Sequence, residues 1–268
     1  GLRLDAADVI DADFLRAVAA FCKARRPDFW LMGEIVQGDY RRLVNPEMLD
    51  SATNYECYKG LYSSLEAANY FEIAYALNRQ FGKGGLYQHV PLYNFVDNHD
   101  VNRVASNLKN PAHLYPLYCL LFTMPGVPSI YYGSEWGLEA RRTDHSDRAL
   151  RPPLDLDQVC QHASHPRLAD DIARLANLRR SLPALRYGDY RQLHVAHEQL
   201  AFARVFEHEH VVVLLNAGDA PARFRINLPS NAKAAIDVLN QAERFDIQQG
   251  SLTVEQVNPH WCRILRLV

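Results

Sequence analysis

The first 35 residues, GLRLDAADVIDADFLRAVAAFCKARRPDFWLMGEI (Gly1–Ile35), contain a strand, a helix and a second strand in succession. Asp28–Ile35 is an apolar run typical of a buried strand, and Gly1–Asp8 holds a shorter apolar run that ends in acids. Between them, Ala12–Arg25 has apolar residues at helical spacing. Phe14, Val18, Phe21 and Cys22 lie at i, i+4, i+7 and i+8, and this apolar stripe predicts a helix.

The same alternation continues to about residue 181 and predicts an α/β fold. Two further runs are typical of strands, Leu92–Val96 and Val127–Tyr132. Alternating strands and helices favour parallel strands that are joined by crossover helices. Further helices are predicted at Glu56–Leu65, Phe71–Phe81, Leu114–Met124 and Arg167–Ser181.

The pattern changes after Pro183, where short strands are separated by turn residues. This pattern predicts an all-β sandwich over 184–268, so that 1–183 and 184–268 form two domains. The strands are predicted at Gln199–Phe206, His210–Asn216, Ala222–Leu228, Ala234–Val238 and Trp261–Val268.

The amino-acid composition argues against several classes of function. Lysine and arginine number 29 and aspartate and glutamate 31, so the formal charge of −2 argues against a nucleic-acid or membrane-surface protein. The five cysteines form no CxxC pair and cannot all pair in disulfides, which favours a reducing, cytoplasmic location.

Three acids follow predicted strands at regular intervals. Asp5 and Glu34 are 29 residues apart, about one strand–helix repeat, and Glu34 and Asp100 are 66 apart, about two. Acids at the carboxyl ends of such strands would meet at one mouth of a β/α barrel, where these barrels place active sites. Alternation also places Arg3 on the same strand face as Asp5.

Clustered carboxylates of this kind suit retaining glycoside cleavage. One carboxylate attacks the sugar while a second carboxyl donates and later removes a proton. A guanidinium such as that of Arg3 would keep the nucleophile ionised, and the apolar neighbours of Glu34 favour a protonated acid. Taken singly, Asp5 could instead cap a helix, Glu34 could lie on the surface, and His99 could be a polar core residue.

The three segments resemble the conserved regions of the α-amylase family, glycoside hydrolase family 13. The segments are GLRLDAAD (Gly1–Asp8), LMGEIV (Leu31–Val36) and FVDNHD (Phe95–Asp100), and GVPSIYYGSEWG (Gly126–Gly137) resembles the family's eighth-strand segment. The resemblance implies the C-terminal half of a (β/α)8 barrel, from the end of strand 4 to helix 8, followed by a β-sandwich. It also implies a retaining α-glucan hydrolase.

The resemblance assigns roles to individual residues. Asp5 would be the nucleophile, Glu34 the general acid/base and Asp100 the transition-state stabiliser. Arg3, His99, Tyr55 and Tyr132 would bind substrate. Arg103 and Asn98 would support the site, Arg103 by pairing with an acid or else as a surface ion pair, and Asn98 by shaping a turn. Core packing is an alternative for the two tyrosines.

The sequence also departs from the family. The first half of the barrel has no counterpart before Gly1, so we expect a fragment that needs that half, in cis or in trans, to hydrolyse α-glucan or malto-oligosaccharide. Asp8 and Val9 replace the Lys-His pair of many α-amylases, so calcium, possible in the intact enzyme, is not supported here, and no cofactor or metal is predicted.

The charged stretch Arg142–Pro152 looks more like that of cyclomaltodextrinases and neopullulanases, and could line the cleft rim or be a solvated loop. Three alternatives remain open: a family member that acts on sucrose, trehalose or isomaltose, one that transfers glycosyl groups to sugars, and a non-catalytic sugar-binding homologue.

Overall fold

A computed structural model describes residues 1–228 and 230–268. The first part of the chain alternates short strands with longer helices, as the sequence predicts. Its strands are β1 (Leu2–Leu4), β2 (Leu31–Gly33), β3 (Ser51–Ala52), β4 (Tyr93–Asn94) and β5 (Val127–Pro128). Its helices are α1 (Ala12–Arg25), α2 (Tyr55–Glu66), α3 (Phe71–Phe81), α4 (Leu114–Thr123), α5 (Leu156–His162), α6 (Leu168–Ser181) and α7 (Pro183–Tyr187).

The five strands lie side by side in chain order and run in one direction. β1 pairs with β2, β2 with β3 and β4 with β5, all in parallel. A parallel bridge between Thr53 and Tyr93 joins the two groups of strands. The fold class is therefore confirmed as part of an α/β barrel followed by an all-β domain.

The observed strands are shorter than the predicted ones. Only Leu31–Gly33 of Asp28–Ile35 and only Tyr93–Asn94 of Leu92–Val96 form regular ladders. The prediction of a buried strand over Val127–Tyr132 was wrong beyond Pro128, since residues 127–131 are half-buried and a proline cannot donate to a ladder. β3 was not predicted, because a strand of two residues is too short to show the alternation of apolar and polar side chains.

Helix α1 has the predicted bounds, and Val18 and Cys22 of its apolar stripe are partly buried against the core. The side chain of Asp11 caps the helix by accepting a hydrogen bond from the Phe14 amide. Leu15 and Ala19 face the core, whereas Phe14 and Phe21 are 57% and 58% exposed. Apolar spacing identifies a stripe, but the neighbouring strands decide which edge of it they cover.

The second part of the chain forms one eight-stranded antiparallel sheet, which folds over a common core. Side chains of β7, β8, β9, β12 and β13 meet in that core, as in a sandwich. The strands are β6 (Asp189–Val195), β7 (Gln199–Phe206), β8 (Glu209–Asn216), β9 (Ala222–Asn227), β10 (Ala234–Asp237), β11 (Arg244–Gln248), β12 (Ser251–Val257) and β13 (Trp261–Leu267). The sequence pattern did not predict β6, β11 and β12.

The outer face of β7 and β8 packs on helices α4 and α7, and α6 packs on these two helices, so one apolar core spans both parts of the chain. Helix α4 is buried at nine of its ten positions, which explains its lack of charged residues. The predicted domain boundary at 183/184 stays a prediction. All five cysteines are free thiols, and in the described ranges no helix has the length and apolar character that a membrane crossing requires.

Candidate active site

Asp5 and Glu34 come together because each directly follows one of two paired strands. β1 ends at Leu4 and β2 at Gly33, and the pairing continues past both ends through the Glu34 amide and the Leu4 carbonyl, 2.9 Å apart. A side chain at Gly33 would lie 2.7 Å from the Cβ of Ala7, so glycine permits this close approach. The two acids thus occupy one mouth of the parallel array.

The guanidinium of Arg3 bridges the two acids. Its Nη1 lies 2.8 Å from Oδ1 of Asp5, and its Nη2 lies 3.2 Å from Oε2 of Glu34. The Ala6 amide also donates to Oε2 of Glu34, at 3.3 Å. Two donors therefore hold Oε2 of Glu34, whose side chain is only 12% exposed.

The surroundings of Asp5 favour a carboxylate. A hydrogen bond from the Glu34 carboxyl and the nearby Arg3 guanidinium lower the pKa of Asp5 below its usual value. A carboxylate at Asp5 beside the second carboxyl group of Glu34 is the pair of side chains that retaining glycoside cleavage requires.

Tyr55, the first residue of α2, links this pair to the third acidic segment. Its hydroxyl donates to Oε1 of Glu34 at 3.2 Å and accepts from Nδ2 of Asn98 at 3.3 Å. Burial raises the pKa of Tyr55, which keeps the phenol a donor. Oδ1 of Asn98 in turn accepts from the Asp100 and Val101 amides, so this side chain shapes the turn that carries Asp100.

His99 and Asp100 lie at the far side of this turn. Nε2 of His99 is 3.0 Å from Oδ2 of Asp100, and both side chains are partly exposed. Arg3, Asp5, Glu34, Tyr55, Asn98, His99 and Asp100 are thus joined by contacts and chain continuity. Tyr132 stands apart from them: it is 41% exposed and its hydroxyl donates to the Pro152 carbonyl at 3.0 Å.

Arg103 does not form a surface ion pair, so that alternative was wrong. Its side chain is fully buried, and its guanidinium donates to the Tyr132 carbonyl at 2.8 Å and to the Leu150 carbonyl at 2.8 and 3.2 Å. It also donates to Ser134 Oγ at 3.0 Å. In the described part of the chain these oxygens, rather than a carboxylate, satisfy the charge.

Arg142 and Arg151 lie in the charged stretch for which the sequence left two interpretations open, a cleft rim and a solvated loop. Nη1 of Arg142 donates to the Asp100 carbonyl at 3.2 Å, and Nε of Arg151 donates to the His99 carbonyl at 3.3 Å. The charged loop is therefore tied to the acidic turn. Its concentration of arginines was the only available signal, since sequence does not show what a loop residue touches.

A buried carboxyl, Asp97, supports the same turn from below. It is 2% exposed, and its two oxygens share the single hydroxyl proton of Ser134, whose Oγ lies 2.8 and 2.9 Å from them. It also accepts a hydrogen bond from the Val104 amide at 2.9 Å. Burial raises the pKa of Asp97 to about 6, against these hydrogen bonds, which lower it.

The raised pKa of Asp97 predicts that the free energy of unfolding depends on pH, and we expect Asp97→Asn to remove this dependence. A carboxyl whose pKa is higher in the folded chain binds more protons there, so its contribution to stability falls as pH rises from about 4 to about 6. We expect the free energy of unfolding, measured in urea at several pH values, to gain less from acidification in the variant than in the wild type. Equal slopes for both proteins would contradict this expectation.

The side chains that most often bind metal ions do not cluster in the described part of the chain. Within residues 1–228 and 230–268, no group of three or more histidine, cysteine, aspartate or glutamate side chains is arranged to hold a metal ion. The expected absence of a cofactor stays a prediction.

Comparison with known families finds two matches that together span most of the chain. Residues 6–176 match the model described as alpha amylase, catalytic domain. Residues 190–264 match the model described as neopullulanase-like, C-terminal domain.

Curated relatives are similar to the chain over most of its length. A cyclomaltodextrinase from Geobacillus thermopakistaniensis is 26% identical, covering 95% of this chain and 42% of that protein. Neopullulanase 2 from Thermoactinomyces vulgaris is 28% identical, covering 94% of this chain and 43% of the relative. The chain thus spans less than half the length of these two relatives.

Solved structures share the fold. An Anoxybacillus α-amylase has a TM-score of 0.83 at 23% identity, covering 99% of this chain and 58% of its own. A cyclomaltodextrinase has a TM-score of 0.84 at 20% identity, covering 99% and 45%.

Proposed function

Because the chain belongs to the α-amylase family, we propose that it carries the acids of a retaining α-glucan hydrolase. The observation that carries the proposal is the bridged pair of acids: Arg3 binds both Asp5 and Glu34, and Tyr55 ties Glu34 to the segment that holds Asp100. The family supports the class of reaction, and the contacts of the acids support the roles that we propose for them.

In the first step Asp5 attacks the anomeric carbon. A bond forms between that carbon and a carboxylate oxygen of Asp5, and the bond to the leaving sugar's oxygen breaks. Glu34 gives its proton to that oxygen, so the leaving sugar departs as a neutral alcohol. Arg3 stabilises the Asp5 carboxylate before the attack.

In the second step a water molecule displaces Asp5 from the anomeric carbon. Glu34, now a carboxylate, takes a proton from water while the water oxygen bonds to the anomeric carbon and Asp5 leaves. Two inversions retain the α configuration. Asp100 and His99 bind hydroxyls of the same sugar ring, and the negative charge of Asp100 stabilises the positive charge that develops at the anomeric carbon. Tyr132 offers an exposed ring for stacking against a neighbouring sugar.

The substrate we propose is an α-glucan or malto-oligosaccharide, in line with the relatives named cyclomaltodextrinase and neopullulanase. The exposed edge formed by β1 and α1 would be covered by a complementary barrel half, in cis or in trans, since Leu2, Val9, Phe14 and Phe21 are between 47% and 81% exposed. Five free thiols favour a cytoplasmic location.

Trapping the covalent intermediate tests this function. The intact gene product carrying Glu34→Gln is incubated with α-maltosyl fluoride, whose leaving group needs no proton, so the first step proceeds and the second stalls. We expect mass spectrometry to find a glycosyl group on the peptide that contains Asp5. NMR of the wild-type reaction is expected to show the α anomer as the first product.

Two controls make the trap decisive. Asp5→Asn in the same background should give no adduct, and an adduct on another carboxylate or a β product would overturn the assignment. Running the 268-residue chain beside the intact gene product tests the complementary half. Labelling of the intact product alone supports the need for that half, and equal labelling of both contradicts it.

A further inference from the structure

The charged loop between residues 140 and 151 is fastened to the turn that carries the third acid. The Arg142 amide donates to Oδ1 of Asn102 at 2.9 Å, and the Arg103 amide donates to the Ala140 carbonyl at 3.0 Å. Within the loop, Thr143 and Ser146 pair with each other. These contacts hold the loop in a defined position beside the turn that carries Asp100.

Arg151 is the side chain of this loop that reaches the acid itself. Its Nη2 lies 3.5 Å from Oδ1 of Asp100, and it also pairs with Asp147. His99 already contacts Oδ2 of Asp100, so both carboxylate oxygens have a partner. Arg151 thus touches Asp100 and, through the His99 carbonyl, the backbone of its neighbour.

A surface ion pair of this kind usually contributes little, because long exposed side chains lose entropy on pairing. Arg151 is 45% exposed, but the residue before it is fixed. Two nitrogens of the fully buried Arg103 donate to the Leu150 carbonyl, at 2.8 and 3.2 Å. The guanidinium of Arg103 also lies 4.0 Å from the centre of the Tyr131 ring.

The two arginines are therefore connected in series. Arg103 belongs to the same H-D-x-x-R stretch as His99 and Asp100, crosses the interior and holds the backbone of the facing loop. The loop then returns Arg151 to Asp100. We propose that this pair is a positioning relay, in which Arg103 fixes Arg151 and Arg151 orients Asp100 for the transition state.

The relay rests on the proposed function, and it explains why a buried cation lies so close to the site. A guanidinium held against one oxygen of Asp100 restricts the rotation of that carboxylate. The guanidinium itself takes no part in breaking the glycosidic bond. Misplacing a catalytic group by about 1 Å can cost about 100-fold in rate, so a fixed Asp100 is expected to act mainly on kcat.

The test compares variants of the intact gene product acting on malto-oligosaccharides. We expect Arg151→Ala to lower kcat by about 10- to 100-fold with little change in KM, because the interaction strengthens in the transition state. Arg151→Lys should recover part of the loss, and guanidinium ions added at millimolar concentration should partly restore Arg151→Ala. A structural defect would not respond to guanidinium.

Arg103 is tested through a double-mutant cycle. Arg103→Lys keeps the charge but loses the two-nitrogen contact with Leu150, so kcat should fall in the same sense. If Arg103 acts through Arg151, combining Arg103→Lys with Arg151→Ala should be no worse than Arg151→Ala alone. Fully additive losses would overturn the relay.

Arg141→Ala is the matched control. Arg141 lies on the same loop but donates to the Ser106 carbonyl and Asn107, away from Asp100, so kcat should be unchanged. Wild-type kcat in Arg151→Ala, or an equal loss in Arg141→Ala, would refute the relay alone. Absence of α-glucoside cleavage by the wild type would refute the proposed function instead.

Discussion

Glu34→Gln in the intact gene product is expected to lower cleavage of a malto-oligosaccharide by about 100- to 10,000-fold, the range that a positioned proton donor contributes. Glutamine keeps the shape of the side chain and the contacts with Arg3 and the Ala6 amide, but it has no proton to give to the leaving oxygen. Steady-state rates and calorimetric titration with maltotriose measure the two effects separately. Binding should persist while turnover is lost.

Glu56→Gln is the matched control for this variant. Glu56 is next to Tyr55 in the chain, but its carboxylate pairs with Arg79 rather than with the site. Its removal costs only a surface ion pair, so turnover should stay near the wild-type rate. Unchanged turnover in Glu34→Gln would show that another group is the acid, or that the protein only binds sugar.

Arg204→Met is expected to have the largest effect on stability. Arg204 is 1% exposed, and its guanidinium donates to the carbonyls of Thr123, Leu185 and Gly188, which join the barrel helices to the β domain. Methionine fills much of the space but leaves these acceptors without a donor. At about 1 kcal/mol or more for each, the free energy of unfolding should fall by about 3 kcal/mol.

Urea denaturation, followed by tryptophan fluorescence, measures this loss. Burial lowers the pKa of Arg204 to about 9, so the buried charge itself carries a cost, and the satisfied carbonyls must provide the gain. Arg191→Met, at an exposed position on the neighbouring strand β6, is the control and should change stability by less than about 0.5 kcal/mol. A loss below about 1 kcal/mol in Arg204→Met would contradict the argument.

Most of the fold could be predicted because its helices and long strands have clear periods. α1 and α3 have the predicted bounds, and so does β7. The barrel strands were predicted too long, because their buried apolar runs continue into loop residues that form no β-ladder hydrogen bonds. The strands β6, β11 and β12 were missed because their charged and polar residues lie on exposed faces of the sheet.

The site residues also divide into those that the sequence could predict and those that it could not. Asp5, Glu34 and Asp100 could be found because their spacing follows the strand–helix repeat, and Arg3 because alternation places it beside Asp5. Arg151 and Asp97 could not, since their importance depends on partners 37 to 51 residues away in the chain. For Arg103 the sequence left open an acid or the surface, and only the folded chain shows its buried carbonyl partners.

The sequence alone determined the alternation of strands and helices, the change to an all-β domain and the placement of three acids after predicted strands. These follow from periods of two and 3.6 residues and from local composition. Only the tertiary structure decided which edge of α1 is buried and how one arginine bridges two acids. It also decided which loop approaches Asp100. Contacts between distant segments depend on how strands register and helices pack, and no local pattern contains that information.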